Sequence, residues 1–191
     1  MEKWWDEINF DINQARSWTI GQRKIVVQRK EKEWLIWDDR SDKETSDKLH
    51  LEDFSAFESL AKITPQRYLV EKTSNVLRVL PALANRSVIV RPSHTLNIPP
   101  GEKIELFVSS PLWLKIFSQK TNTPISDLPF WQPSDSWFGP STMSGELCYS
   151  KYTDARVSLE NIGIRANRAI TPIIISNEHD ELLTIERINL P

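Results

Sequence analysis

The chain has 191 residues, with 24 Lys+Arg against 26 Asp+Glu and a formal net charge of −2. Such a near-neutral balance gives no support to a nucleic-acid partner, which leaves a strongly basic stripe, and no apolar run approaches the ~20 residues of a bilayer span. One cysteine excludes an internal disulfide and any multi-Cys zinc site. The opening residues, Met1-Glu2-Lys3-Trp4-Trp5-Asp6, lack the apolar core of a secretory signal, so a cytoplasmic location is expected. The unusual number is eight tryptophans, at positions 4, 5, 18, 34, 37, 113, 131 and 137.

Residues 1–10 read as a short helical turn or an irregular lead-in. Three β-rich runs follow: Ser17-Trp18-Thr19-Ile20, Lys24-Ile25-Val26-Val27-Gln28 and Glu33-Trp34-Leu35-Ile36-Trp37. Each is bounded by charged turns, which predicts an antiparallel meander. The polar stretch from Asp38 to Asp53 predicts an exposed loop. Phe54, Phe57, Leu60 and Ala61 then recur at helical spacing, predicting one short amphipathic helix over 53–63, ended by Pro65.

From Gln66 onward β signals return. Candidate strands are 67–72, 76–80, 87–91, 104–109, 112–118, 146–149, 156–159, 171–176 and 182–189. The continuous apolar runs Val88-Ile89-Val90 and Ile173-Ile174-Ile175 predict strands covered on both faces. Pro99-Pro100-Gly101-Glu102 predicts a sharp turn. About twelve short strands with one helix predict an all-β fold: an antiparallel β-sandwich or flattened barrel with one short amphipathic helix. Residues 1–75 hold 13 basic and 15 acidic side chains, and residues 76–191 hold 11 of each. That density difference suggests a small charge-rich β layer over 1–75 and a main sandwich over 76–191, with one continuous domain as the alternative.

The segment 128–149 concentrates unusual residues: two of the eight tryptophans, three of the twelve prolines and two of the five glycines. Long connections of this kind are commonly functional. In the binding reading Trp131, Trp137 and Phe138 form walls, while Asp135, Ser136, Ser141 and Thr142 supply polar contacts. In the competing reading the same aromatics plug the open end of a sandwich. Asp135 and Glu146 are the weak candidates for a catalytic acid–base pair, as in glycoside hydrolysis.

Cys148 falls within an expected strand and reads as a small buried hydrophobe. His50, His94 and His179 show no metal-ligand spacing, so neither a metal nor a cofactor is expected. Arg86, Arg91, Arg156, Arg165 and Arg168 read as dispersed surface arginines.

Further runs carry a resemblance. They include Arg78-Val79-Leu80-Pro81-Ala82-Leu83, Val90-Arg91-Pro92, Ser110-Pro111-Leu112-Trp113, Pro133-Ser134-Asp135-Ser136-Trp137-Phe138-Gly139, Gly145-Glu146-Leu147-Cys148-Tyr149 and Arg168-Ala169-Ile170-Thr171-Pro172. Over roughly residues 15–191 the chain resembles an uncharacterised family of archaeal and bacterial proteins described only as a domain of unknown function. The resemblance implies a prokaryotic source, but no activity, cofactor or catalytic residue.

Two main functions are therefore expected in competition. The first is a non-catalytic binding module that presents the 128–145 segment to a small molecule or a protein. The second is a hydrolase of a sugar or small polar substrate using Asp135 and Glu146. A homodimer contact through edge strands or the Phe54/Phe57 helix is the third reading.

Overall fold

The structure is a computed structural model. It describes residues 3–20, 23–40, 48–60, 63–118, 122–131 and 134–191, without the side chains of 151–154. The described chain is all-β. Its strands are β1 (Asp6–Asn9), β2 (Ala15–Ile20), β3 (Arg23–Arg29), β4 (Glu33–Arg40), β5 (His50–Phe54), β6 (Gln66–Leu69), β7 (Val76–Ala82), β8 (Val88–Pro92) and β9 (Leu96–Ile98). They continue as β10 (Lys103–Pro111), β11 (Trp113–Ser118), β12 (Thr123–Pro129), β13 (Ser134–Ser141), β14 (Ser144–Arg156), β15 (Arg168–Ser176), β16 (Leu183–Ile185) and β17 (Ile188–Leu190). One 3-10 turn, Leu159–Asn161, is the only helical element among the described residues. No described helix is long and apolar enough to cross a membrane.

The chain divides into two compact units. Unit 1 comprises Met1–Ala82, Trp113–Phe130 and Arg165–Asn167; unit 2 comprises Leu83–Leu112, Trp131–Ile164 and Arg168–Pro191. The division expected between residues 75 and 76 runs between β6 and β7, both of which lie in unit 1.

Unit 1 holds a five-stranded sheet of order β5-β2-β3-β4-β6 and a four-stranded sheet of order β1-β7-β11-β12. The expected meander is β2–β3–β4, and its register fixes which side chains share a face. Because side chains alternate along a strand, Trp18, Ile25, Val27, Trp34 and Ile36 lie on one face. All are buried, as are Ile8, Leu77, Val79, Leu114, Ile116 and Leu128 of the four-stranded sheet. Trp4, Phe10 and Phe130 fill the ends of this core. Trp4 meets Phe130 edge-on at 4.8 Å and Phe10 meets Trp34 at 5.4 Å. The expected lead-in over 1–10 is corrected by β1, which pairs with β7.

The opposite face of the five-stranded sheet carries Ala15, Val26 and Trp37, with Phe54, Phe57, Leu60 and Ile63 packed over them. The helix expected over 53–63 is therefore corrected: Phe54 closes β5, and no helix forms among the described residues, which exclude Ala61. The apolar spacing instead belongs to an irregular strap. Gln28 Nε2 donates to the Phe57 carbonyl at 2.6 Å, so a side chain of the sheet takes an acceptor that a helix would have used. The expected loop over Asp38–Asp53 is partly strand, in β4 and β5, and its residues 41–47 lie outside the described ones.

At the edge of this sheet Arg16 grips Asp53 with two hydrogen bonds of 2.5 Å. The guanidinium holds the Asp53 carboxyl below its usual range. A depressed folded value means that the pair contributes fully above the ordinary aspartate value of about 3.9 and that this contribution fades as pH falls from there through the lowered folded value. Asp53→Asn is expected to cost less than about 1 kcal/mol at pH 7, because the pair is half exposed. The difference in urea midpoint from wild type should shrink between pH 5 and pH 3.

Unit 2 is built on a sheet of order β15-β10-β14-β8-β17, with β13 paired to β14 and a separate β9–β16 pair. Val90, Val108 and Ala155 form a core cluster under Ile173, Ile188 and Leu190. Val88-Ile89-Val90 is buried throughout, but Ile174 is 60% exposed. β15 is an edge strand with one open face, which corrects the two-sided burial expected for residues 173–175. Pro99 to Glu102 makes the expected turn: Glu102 N–H reaches the Pro99 carbonyl at 3.2 Å, and Gly101 sits at φ +74°. Proline at the second position and glycine at the third are what a type II turn requires.

Candidate functional site

The segment singled out by sequence is largely a β-hairpin. β13 pairs antiparallel with the first half of β14, in the register Asp135↔Tyr149, Ser136↔Cys148, Trp137↔Leu147 and Phe138↔Glu146. The expected long irregular connection is thereby corrected. It was hidden because β13 contains Gly139 and Pro140, which read as turn residues. A break in register between Phe138 and Ser141 accommodates them. Among the described residues β13 pairs with β14 alone, so it is an edge strand, where a proline costs no ladder hydrogen bond.

Alternation divides the hairpin into two faces. One carries Asp135, Trp137, Leu147 and Tyr149; the other carries Phe138, Glu146 and Cys148. On the first face Arg86 lies over the Tyr149 ring at 5.4 Å and pairs with Asp135 at 3.2 Å. Tyr149 also donates its hydroxyl to Asn85 Oδ1 at 3.0 Å. On the second face Arg187 lies over Phe138 at 5.0 Å. Glu146 accepts from Asn189 Nδ2 and from Ser87 Oγ. Asp135 and Glu146 thus leave opposite faces, each with its own partners, whereas an acid–base pair must flank one substrate bond.

Cys148 is buried, and burial together with the Glu146 carboxylate pushes its thiol up. A raised thiol stays protonated at neutral pH and is a poor nucleophile. Among the described residues no three His, Cys, Asp or Glu side chains gather as a metal-binding set.

Trp137 is the distinctive residue. Its Nε1–H donates to the Ser141 carbonyl at 2.8 Å, so the indole folds along the hairpin toward its tip. It rests over Gly145, where an added Cβ would come within 2.8 Å of Nε1 and 2.5 Å of the Phe138 carbonyl oxygen. Gly139 is equally constrained, because an added Cβ would run into the Ser144 carbonyl oxygen. The two glycines let the strands close and leave a bed for the ring. Ser141 Oγ accepts from the N–H groups of Met143 and Ser144, closing the tip. Ser141 therefore shapes the turn, and Thr142 stands exposed within it.

The locked indole remains 43% exposed, opposite Leu147 at 47%, and Met143 in the tip of the hairpin is 96% exposed. Trp131 is half-buried and Phe138 is half-buried under Arg187. The structure therefore unites Asp135 and Trp137 on one face and turns Phe138 to the other. Sequence reading missed Leu147, Met143 and Arg86. The Trp137↔Leu147 pairing was the missing signal, and it becomes visible only once 134–149 is read as a hairpin.

The family model described as "Protein of unknown function (DUF432)" matches residues 4–191. No curated protein and no solved structure matches the chain. Because the family match covers nearly all of the sequence, both units included, the chain belongs to the DUF432 family.

Proposed function

We propose that this chain is a non-catalytic binding protein whose β13–β14 hairpin docks a partner protein through Trp137, Leu147 and Met143. The observation that carries the reading is the Trp137 indole, held by the Ser141 carbonyl and bedded on Gly145 yet 43% exposed. A ring fixed before binding loses little conformational freedom on contact. Tryptophan is also among the residues most often found to dominate an interface, and an exposed methionine on the same hairpin adapts to an apolar partner surface. The exposed Asp135–Arg86 pair supplies a polar rim. The indole N–H is already used, so recognition falls to the ring face and its apolar neighbours. The opposed faces of Asp135 and Glu146 speak for binding over hydrolysis.

Photo-crosslinking in the native cells tests this reading. With p-benzoylphenylalanine replacing Leu147, one discrete protein adduct is expected, and it should disappear when Trp137→Ala or Gly145→Ala is added. The same probe replacing Ile174, exposed elsewhere in the unit, should not give that adduct. Identical adducts from both positions, or none from Leu147, would remove the hairpin from consideration.

A further inference from the structure

Unit 1 contains a second feature, beside the edge strand β6. A cleft of about 510 Å³ opens beside β6, walled by Trp34, Tyr68, Val70, Pro124 and Ile125. That volume lies in the ordinary range for ligand sites. Its rim exposes apolar surface, with Leu69 75% and Val70 42% exposed.

β6 forms one wall, and its backbone is open. It is the last strand of the five-stranded sheet, and among the described residues it pairs with β4 alone. The register is Glu33↔Leu69, Trp34↔Tyr68, Leu35↔Arg67 and Ile36↔Gln66. Val70 N–H donates to the Lys32 carbonyl at 2.9 Å, which makes that opposed pair a hydrogen-bonded one. In an antiparallel ladder such pairs alternate with non-bonded ones. Tyr68 and Gln66 therefore turn their backbone groups toward β4, while Arg67 and Leu69 turn theirs outward. Among the described residues nothing accepts from or donates to those outward groups.

Natural edges are blunted by short length, charged side chains, proline or a bulge; β6 is four residues long and carries Arg67. β6 has no proline, and its register with β4 runs without a break. It offers two outward N–H and two outward C=O groups next to a cleft with both apolar walls and the charged side chains of Glu71 and Lys72. Arg67 is occupied by Glu33 at 2.7 Å. Lys72, also lining the cleft, has no ion-pair partner among the described residues, and neither has Glu71.

We propose that β6 and its cleft bind an extended peptide segment of a partner protein by strand addition, with one apolar peptide side chain entering the cleft. The alternating outward groups match the backbone of an extended chain, which is the complementarity that defines this mode of recognition. The peptide's backbone supplies the hydrogen bonds to Arg67 and Leu69, and its apolar side chain packs against Tyr68, Val70 and Ile125. The site is independent of the hairpin: it lies in the other unit and uses backbone edge rather than an exposed ring.

The test pans the full chain against a phage-displayed library of linear ten-residue peptides. An enriched peptide is then measured by fluorescence anisotropy. Leu69→Pro removes one outward N–H, leaves the β4 ladder intact and should weaken binding at least tenfold. Leu69→Ala, which keeps the N–H, should weaken it less than threefold. Val70→Trp, filling the cleft while keeping its N–H bond to Lys32, should also weaken binding tenfold. Methylating the peptide nitrogen opposite β6 tests the same hydrogen bonds if a variant fails to fold. Trp137→Ala should leave peptide binding unchanged, which separates this site from the hairpin. Absence of any enriched peptide, or equal binding by Leu69→Pro and wild type, would overturn the proposal. So would a dimer that Leu69→Pro converts to monomer, because the edge would then belong to a second copy of the chain.

Discussion

Replacing Asp38 with alanine is expected to destabilise unit 1 by about 3–5 kcal/mol, the usual cost of stranding a buried charge. Arg23 is 4% exposed, at the core end of β3. It binds Asp38 through Nε at 2.6 Å and through a second guanidinium nitrogen, and it also donates to the Pro129 carbonyl of the facing sheet. Burial lowers the Arg23 pKa while Asp38 opposes that shift. Arginine nonetheless keeps its charge, so losing Asp38 leaves a cation out of water with only carbonyl contacts. The double replacement Arg23→Met with Asp38→Leu should recover most of the loss, because two apolar side chains remove the desolvation penalty altogether. Urea unfolding followed by tryptophan fluorescence would show a lowered midpoint for the single variant and a near-normal one for the pair. Equal losses in both would mean that packing volume, not the stranded charge, sets the cost. Two units can unfold in two steps; the shift is expected only in the step belonging to unit 1.

Trp4→Ala should cost a similar amount, about 3–5 kcal/mol, the range for deleting a buried large aromatic. The residue precedes the first strand, where an unstructured lead-in would make the substitution silent. Trp4 is instead 1% exposed. It meets Trp5 and Phe130 edge-on, its Nε1–H donates to the Ala166 carbonyl at 2.7 Å, and its own carbonyl accepts from Trp18 Nε1 at 2.9 Å. Alanine would leave a cavity between the rings and the Ala166 carbonyl without its donor. Loss of near-ultraviolet circular dichroism at a denaturant concentration harmless to wild type would report this. A melting curve within a degree or two of wild type would place Trp4 outside the cooperative core.

Much of the architecture was legible because burial is written into period-two patterns. The run 17–20 alternates, 24–28 and 33–37 carry continuous apolar blocks, and these runs form β2, β3 and β4. Four tryptophans expected in the core, at 18, 34, 37 and 113, are each 2% exposed or less. The missed strands share one cause: they lie at sheet edges, where the usual propensities relax. β1 is a short polar strand, and β12 carries Pro124 and Pro129 at the end of its sheet. β13 carries Gly139 and Pro140. The false helix over 53–63 arose because Phe54, Phe57 and Leu60 cover a sheet face, a demand that an irregular strap meets with the same spacing. The strand expected at 156–159 instead ends β14 and passes into the 3-10 turn.

The candidate site was half legible. Sequence located Trp137 and Asp135 by composition, and both lie on one face. It also joined Phe138 and Glu146 to them. One-dimensional proximity carries no information about strand parity, and parity sends those two to the other side. The contribution of Gly145, making room for an indole eight residues earlier, depends on the hairpin register and is invisible without it.

The claim that the Trp137 ring is a binding surface is tested most directly by affinity. The protein crosslinked from position 147 would be purified and titrated against wild type and Trp137→Ala. A Kd about 30-fold weaker is expected for the variant, equivalent to ~2 kcal/mol for a central aromatic contact, with its unfolding midpoint almost unchanged. Equal affinities for the two proteins, at equal stability, would contradict it.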